Sequence, residues 1–277
     1  AEGCKEITLI GQTVNSYRWS DGGKTSRLSD LLLELNMIDG LDRIKFVTSY
    51  PRDMTDDLIH AVRDLPKVSH YLHVPAQHGS DDVLKRMKRG YTIGQYMEML
   101  DRLKDAIPHA ALSSDFIVGF CGETDEEFSL SLELVKTVKF KNSFIFKYSP
   151  RPGTKAFDTQ SDDVPESVKK ERNRLLQEAQ SVASLEGNQR FVGSRQQVLV
   201  EGLSTREERR AVNPGPDGFA QLTGRTMCDR IVVFDAPLRL IGRMVDIDIT
   251  SAGSRSLAGE VADGLADAVP LDYLEKQ

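Results

Sequence analysis

Short apolar runs alternate with amphipathic stretches along residues 1–193, and this alternation constrains the fold more than any other feature of the sequence. The apolar runs, which the pattern predicts as β-strands, cover residues 6–12, 43–51, 68–77, 111–120 and 142–150. The stretches with helical spacing or helix-capping residues cover 26–40, 55–65, 80–90, 92–107, 124–138 and 165–193. Strands and helices that alternate over short connections are typical of βαβ units, so the sequence predicts an α/β fold with a parallel sheet. Because these strands are too few to close a barrel, we expect a partial, open βα barrel.

The pattern changes after Gly193. Short strand-like runs separated by Gly, Asp and Ser predict a small all-β barrel of the OB-like kind. We therefore divide the chain into a domain of residues 1–193 and a domain of residues 194–277. Within the second domain, residues 206–220 contain two prolines and two glycines and are expected to form a loop.

Charge and cysteine content narrow the possible functions. The formal net charge of −6 gives no global attraction to nucleic acid, so such a partner would need a local basic patch. No run approaches the roughly 20 apolar residues of a membrane helix. The cysteines Cys4, Cys121 and Cys228 lack metal-ligand spacing, and their odd number indicates a reducing compartment. We expect a cytoplasmic monomer with no membrane partner and no metal ligands of its own.

The ends of the predicted strands carry the candidate chemistry. In open βα folds, ligands bind where parallel strands end. These strand ends are polar and contain glycine or proline, and they cover residues 11–15, 48–51, 74–80, 119–123 and 148–154. The Gly-Phe-Cys-Gly-Glu segment 119–123 matches neither a dinucleotide fingerprint nor a phosphate-binding P-loop. Its glycines predict either a plain left-handed turn or a close approach of another group to the backbone.

Two further hypotheses come from individual residues at the strand ends. Cys121 and His78 lie at different strand ends and could pair as nucleophile and base. A barrel enzyme of the aldolase type would need a lysine or paired carboxylates at the strand ends, for which the candidates are Lys147 and Asp115.

Arginine supplies every cation of the second domain before Lys276. Arginine suits contacts to phosphates and bases, although nearby acids equally allow an ordinary solvated surface. The arginines taken as candidate RNA contacts are Arg195, Arg225, Arg230 and Arg243.

Several motifs together resemble the methylthiotransferases, which are radical S-adenosylmethionine (SAM) enzymes. The motifs are LIGQTVNSY, RIKFVTSYP, YLHVPAQHGSDDVLKRMKRGYT, SSDFIVGFCGETDEEF and YSPRPGTKA. The segment after residue 165 resembles the C-terminal RNA-binding TRAM domain of the same family, so the resemblance covers nearly the whole chain. GQTVNSY and FVTSYP are most similar to the tRNA-modifying MiaB type.

The resemblance implies 2-methylthiolation of N6-isopentenyladenosine next to the tRNA anticodon. It implies S-adenosylmethionine and two [4Fe–4S] clusters as cofactors, with the tRNA anticodon stem-loop and donors of sulfur and electrons as partners. Relatives that act on threonylcarbamoyl-adenosine or on a ribosomal protein are the alternatives within the family.

The resemblance also implies roles for individual residues. Gln12 and Asn15 are expected near the radical site as catalytic residues. The residues expected to bind the cofactor, some of them also facing the target base, are Ser49, Gln77, Ser80, Asp115, Gly119, Gly122, Glu123, Tyr148 and Ser149. Family members often have proline where this chain has Cys121, so the resemblance assigns that thiol no role.

One departure from the family is large. The family's Cys-x3-Cys-x2-Cys cluster motif lies upstream of the strand that carries GQTVNSY, and the sequence given does not contain it. We therefore expect an N-terminally truncated chain that lacks its first strand, its cluster loop and the cluster ligands, and that is inactive alone. A non-catalytic RNA-binding relic is the alternative hypothesis.

Overall fold

The computed structural model describes residues 3–210 and 218–262, and the chain divides into two compact units between Ser184 and Leu185. The strands of the first unit are β1 (Glu6–Leu9), β2 (Arg18–Asp21), β3 (Lys24–Arg27), β4 (Arg43–Phe46), β5 (Tyr71–His73), β6 (Ala111–Val118) and β7 (Asn142–Lys147). Its helices are α1 (Leu28–Asn36), α2 (Asp56–Asp64), α3 (Asp81–Arg86), α4 (Ile93–Ala106), α5 (Asp125–Val138), α6 (Lys155–Thr159) and α7 (Glu166–Gln189), the last of which runs on into the second unit.

The first unit is built on parallel strands in the order β1-β4-β5-β6-β7. β1 pairs with β4, and β6 pairs with β5 and β7, all in parallel. Backbone hydrogen bonds join the two groups, because Ser69 N donates to Ile44 O (2.8 Å) and Ser49 N donates to His73 O (3.1 Å). The predicted α/β fold with an open parallel arrangement is therefore confirmed.

Helix α7 covers the outer edge of β7. The side chains of Asn173, Gln180 and Ser184 donate to the carbonyls of Ile145 (2.9 Å), Phe140 (2.7 Å) and Lys141 (2.7 Å), respectively. An edge strand normally presents unpaired backbone groups to further strands. Helix α7 thus occupies one carbonyl of β7, that of Ile145, and two carbonyls of the turn before it, and within the described residues no strand pairs beyond β7.

The helices pack on one face of these strands and form the core there. Ile44, Phe46, Leu72 and Phe116 point into a cluster that also contains leucines of α1, α2 and α4. The helix starts follow from local chemistry, as for α5. Its Thr124 hydroxyl accepts from Glu127 N (3.2 Å) and the Glu127 carboxylate accepts from Thr124 N (3.0 Å), which confirms the capping box that the spacing predicts.

The β2–β3 hairpin was not predicted. Apart from Trp19 its residues are polar or glycine and show no apolar alternation, so nothing in the pattern indicates strands. The turn between them is Gly22-Gly23, with φ of +54° and +87°, which suits a two-residue hairpin turn. Helix α6, whose first turn is capped by the Thr154 hydroxyl, was likewise not predicted.

The second unit contains a closed five-stranded barrel, as predicted. Its strands are β8 (Arg195–Leu203), β9 (Phe219–Thr226), β10 (Ile231–Pro237), β11 (Met244–Ala252) and β12 (Leu257–Val261), in the spatial order β10-β12-β11-β8-β9. Part of the predicted loop 206–220 is instead a helix, α8 (Thr205–Arg210), and residues 211–217 lie outside the described residues. Among the helices that the structure describes, none combines the length and apolarity needed to cross a membrane.

Candidate functional site

A buried carboxylate holds the turn of residues 119–123 together. Glu123 Oε2 accepts hydrogen bonds from the backbone N–H groups of Gly119 and Phe120, the latter at 3.1 Å. The Glu123 side chain has 0% exposure. A carboxylate with this burial needs hydrogen bonds and a compensating charge.

His78 and Arg172 supply the remaining partners of Glu123. His78 Nδ1 accepts from Ser80 N (3.0 Å), so the ring proton lies on Nε2, which donates to Glu123 Oε1 (3.3 Å). Arg172 Nη1 donates to Glu123 O (3.0 Å) and lies 3.5 Å from Oε2. Glu123 thus connects the end of β6 to the segment after β5 and to α7. Arg172 was not predicted as a site residue, because it is far along the chain on a long helix with a polar face.

The two glycines of this turn have different reasons to be glycine. Both have left-handed backbones, with φ of +70° at Gly119 and +69° at Gly122. A Cβ atom at Gly119 would overlap Lys169 Cγ and lie 3.1 Å from its Cδ, whereas a Cβ at Gly122 would meet open space. The group that closely approaches Gly119 is therefore the buried Lys169, which pairs with Asp162. Contact between these glycines and a cofactor stays a prediction.

The β4 strand end contains a hydroxyl without a partner. Ser49 has 3% exposure, and its Oγ makes no hydrogen bond with any described residue. Buried polar atoms are almost always hydrogen-bonded, so an orphaned hydroxyl at a strand end points to a ligand. The preceding residue, Thr48, has φ of +68°, a conformation that costs free energy for a β-branched residue.

Two other predicted residues of this edge, Gln77 and Ser80, make hydrogen bonds within the protein. Gln77 has φ of +68°, and its Oε1 accepts from Arg89 Nη2 (3.0 Å). Ser80 is the N-cap of α3, where its hydroxyl accepts from Val83 N (3.4 Å). Ser149 is exposed.

The two predicted catalytic residues differ in environment. Asn15 is buried, and its amide both donates to Tyr50 O (2.8 Å) and accepts from Tyr50 N (2.8 Å). This pair ties the chain after β1 to the chain after β4. Gln12 is exposed. The catalytic roles of both residues remain predictions, and the geometry gives Asn15 a positioning role.

Polar and aromatic side chains occupy the sheet face opposite the helices. His73 Nδ1 lies 2.8 Å from Ser113 Oγ, and His73 Nε2 lies 3.5 Å from Asp115 Oδ1. Phe144 and Phe146 on β7 are 52% and 53% exposed. These two rings were not singled out from the sequence, although the alternation in Asn-Ser-Phe-Ile-Phe-Lys contained the signal.

Cys121 and Tyr148 form a separate contact. The Tyr148 ring meets Phe120 edge-on at 4.8 Å between centroids. The pKa of Tyr148 is raised to about 12, mainly because the phenol is partly buried and secondly because it is hydrogen-bonded to the Cys121 thiol. Because His78 uses its ring nitrogens for Ser80 and Glu123, the structure does not support the Cys121–His78 pair.

The described residues do not fit an iron–sulfur cluster. All three cysteines are free thiols, with Cys4 exposed and Cys121 and Cys228 buried. Within 3–210 and 218–262, no three His, Cys, Asp or Glu side chains converge in a metal-binding group.

Three of the four predicted RNA-binding arginines have protein partners. Arg195 makes a two-pronged ion pair with Asp248 (2.8 Å for both bonds), and Arg225 contacts Glu201 (3.2 Å) and Asp229 (3.0 Å). Arg230 lies over the Phe191 ring at 4.6 Å. Arg243 is exposed and has no carboxylate partner in the described part of the chain. The RNA-binding role of all four remains a prediction.

Comparison with known proteins gives two domain matches. Residues 1–135 match the radical SAM superfamily and residues 189–262 match the TRAM domain.

Two of the sequence relatives carry the same name. The tRNA-2-methylthio-N(6)-dimethylallyladenosine synthase of Rhodopirellula baltica is 54% identical over 94% of this chain and 54% of the relative. The protein of the same name from Bordetella petrii is 45% identical over 96% of this chain and 54% of the relative. The chain thus spans about half the length of the curated relatives it matches.

A solved structure shows a weaker likeness. Coproporphyrinogen III oxidase from Escherichia coli, described as a radical SAM enzyme, has 16% identity and a TM-score of 0.46 over 72% of this chain and 50% of its own. This likeness is too low to carry an argument. The two domain matches agree with the parallel βα strands and the closed barrel, and they confirm the resemblance found in the sequence. Over 94% of its length the chain is similar to a tRNA-2-methylthio-N(6)-dimethylallyladenosine synthase, with its radical SAM match in residues 1–135 and its TRAM match in residues 189–262.

Proposed function

We propose that this chain takes part in the 2-methylthiolation of N6-isopentenyladenosine next to the anticodon of tRNA. The observation that carries this proposal is the 54% identity to the Rhodopirellula baltica protein over 94% of the chain. The proposed partners are the tRNA anticodon stem-loop and donors of sulfur and electrons, and the proposed cofactors of the whole protein are S-adenosylmethionine and two [4Fe–4S] clusters. Among residues 3–210 and 218–262, no group of side chains fits a cluster.

The strand ends fit S-adenosylmethionine better than they fit a metal. When bound and reduced by one electron from the proposed electron donor, this cofactor would supply the radical that abstracts the C2 hydrogen of the base. The Ser49 hydroxyl would gain the hydrogen bond that it lacks in the free chain. Gln77 and Asp115 would supply further polar contacts, and Glu123 would fix the turn that borders them.

The face that carries Phe144 and Phe146 suits a prenylated base. Exposed aromatic rings stack on nucleobases and bury apolar substituents such as an isopentenyl group. Asp115 lies beside Phe144 in the β6–β7 register, so a hydrogen-bond acceptor lies next to the rings. An unmodified adenosine would bury less apolar surface there, which gives a physical basis for preferring the prenylated substrate.

Removing the Ser49 hydroxyl is expected to have opposite effects on folding and on cofactor binding. Ser49→Ala removes an unsatisfied buried polar atom, so the free chain should be equally or more stable in urea unfolding. S-adenosylmethionine should bind about five- to tenfold more weakly in calorimetry, because one hydrogen bond of about 1 kcal/mol is lost. Ser129→Ala, at an exposed position of α5, is the control and should change neither quantity. Unchanged affinity in Ser49→Ala would remove this residue from the site.

A chimera tests the proposed activity. The chain would replace the matching part of the Rhodopirellula baltica protein, in a bacterium that lacks its own enzyme. Mass spectrometry of tRNA nucleosides should then detect 2-methylthio-N6-isopentenyladenosine. A methylthiolated threonylcarbamoyl-adenosine in its place would contradict the proposed substrate. A folded chimera that binds tRNA but forms no product would favour the non-catalytic RNA-binding alternative.

A further inference from the structure

The β2–β3 hairpin presents an exposed tryptophan. Trp19 is the single tryptophan of the 277 residues, and 54% of its surface is exposed. It stands opposite Ser26 across the hairpin, and it is not among the residues that pack on the core of the first unit. A large aromatic side chain that adds nothing to the core is more often found in a binding surface.

The same hairpin is locally basic in a chain with net negative charge. Residues 18–27 contain the cations Arg18, Lys24 and Arg27, against the single acid Asp21. Asp57 lies 3.6 Å from Arg27. Arg18 donates to Tyr17 O (2.8 Å), and neither Arg18 nor Lys24 has a carboxylate partner among the residues described. The hairpin thus combines an exposed aromatic ring with cations available for phosphate.

The hairpin is anchored at the edge of the sheet where the predicted cofactor-binding residues lie. It begins three residues after Asn15, whose amide is bonded to the backbone of Tyr50 directly after Ser49. It is also short and two-stranded, a form with little stability of its own. The Asn15 bonds before it and the start of α1 at Leu28 fix the two ends of the hairpin, and the Gly22-Gly23 turn joins its strands, so the tryptophan is held in place without taking part in a core.

We propose that Trp19 stacks on an unpaired nucleobase of the RNA loop that delivers the target adenosine, while Arg18 and Lys24 contact the neighbouring phosphates. This inference rests on the proposed function, since it takes tRNA as the substrate. The pairing of one aromatic platform with flexible cations is suited to single-stranded RNA, because every base has a face that can stack and the backbone carries regular charge. A paired stem would offer Trp19 no accessible base face.

The fluorescence of Trp19 can be used to test this proposal. Because Trp19 is the sole indole, its fluorescence reports on the hairpin alone. Titration of the full 277-residue chain with an anticodon stem-loop RNA should quench this emission, whereas a blunt duplex of the same length should not. Binding of the labelled stem-loop, followed by anisotropy, should weaken about ten- to a hundredfold in Trp19→Ala. Trp19→Phe should keep most of the affinity, and Val182→Ala, an exposed apolar position on α7, should bind like the parent chain.

The charges are tested separately. The double variant R18Q/K24Q should bind more weakly and should lower the slope of log affinity against log salt by about one to two.

Each contrary result has a distinct meaning. If the parent chain binds the stem-loop but Trp19→Ala binds equally well and no quenching occurs, the hairpin inference is wrong and the proposed function stands. If the parent chain binds no tRNA stem-loop, the proposed function and the inference fall together. If the Trp19 emission changes with protein concentration in the absence of RNA, the hairpin contacts a second copy of the chain and the RNA inference is overturned.

Discussion

Replacing Gly119 with alanine is expected to destabilise the first unit by roughly 2–5 kcal/mol, whereas replacing Gly122 should cost about 1–2 kcal/mol. Both positions have a left-handed backbone, which disfavours any residue with a Cβ atom. Only at Gly119 would the new methyl group overlap Lys169, which is buried and held by Asp162. The difference between the two variants therefore measures the steric term alone.

Urea unfolding followed by circular dichroism would measure both losses. A K169A background supplies the control, because truncating Lys169 removes Cγ and Cδ and leaves only its Cβ, 3.2 Å from the new methyl group. In that background the added cost of G119A should fall close to the cost of G122A. Equal losses for G119A and G122A in the parent chain would show that Lys169 moves away without penalty and that only the backbone conformation demands glycine.

Most of the fold could be predicted from local sequence patterns. The strand Ala111–Val118 ends in the apolar residues Phe116, Ile117 and Val118, and the helix that follows it starts with a threonine cap and three acids, so the sequence marks both elements locally. The β2–β3 hairpin could not be predicted in the same way, because it has no apolar face that packs on the core. A glycine turn joins its strands, and the neighbouring segments anchor both of its ends. The predicted strands were also too long, since the residues at their ends form the irregular strand-end segments.

The location of the candidate site was predictable, but its internal contacts were not. Parallel strands place their carboxyl ends at one edge, so Ser49, Gln77 and Gly119 could be grouped from the order of the strands. Arg172 and Lys169 lie on a long polar helix and resemble solvent-exposed residues in the sequence. Their burial depends on how α7 packs against the 119–123 turn, which is a tertiary property that no local pattern encodes. The ion pair of Arg195 with Asp248 likewise depends on the pairing of β8 with β11, which brings together residues that are far apart in the sequence.

Replacing Glu123 with glutamine is expected to destabilise the first unit by about 2–4 kcal/mol, although the size of the side chain hardly changes. The amide has one acceptor oxygen, and if this oxygen keeps the N–H groups of Gly119 and Phe120, the NH2 group faces the N–H of His78. Two donors then oppose each other in a buried site. Arg172 also loses its buried carboxylate and keeps only Asp125, whose side chain is largely exposed.

Glu126→Gln is the matched control. Glu126 is an exposed acid in the first turn of α5, three residues after Glu123, and its replacement should change stability by less than about 0.5 kcal/mol. Arg172→Met in the Glu123→Gln background should recover part of the loss, since a buried cation that has lost its buried carboxylate partner is then replaced by an apolar side chain. If Glu123→Gln and Glu126→Gln proved equally mild, the Glu123 carboxylate would not be what holds the turn. The ends of β5 and β6 would then have to be positioned by backbone pairing alone, through the bonds that link Gln77 to Asp115 and Ile117.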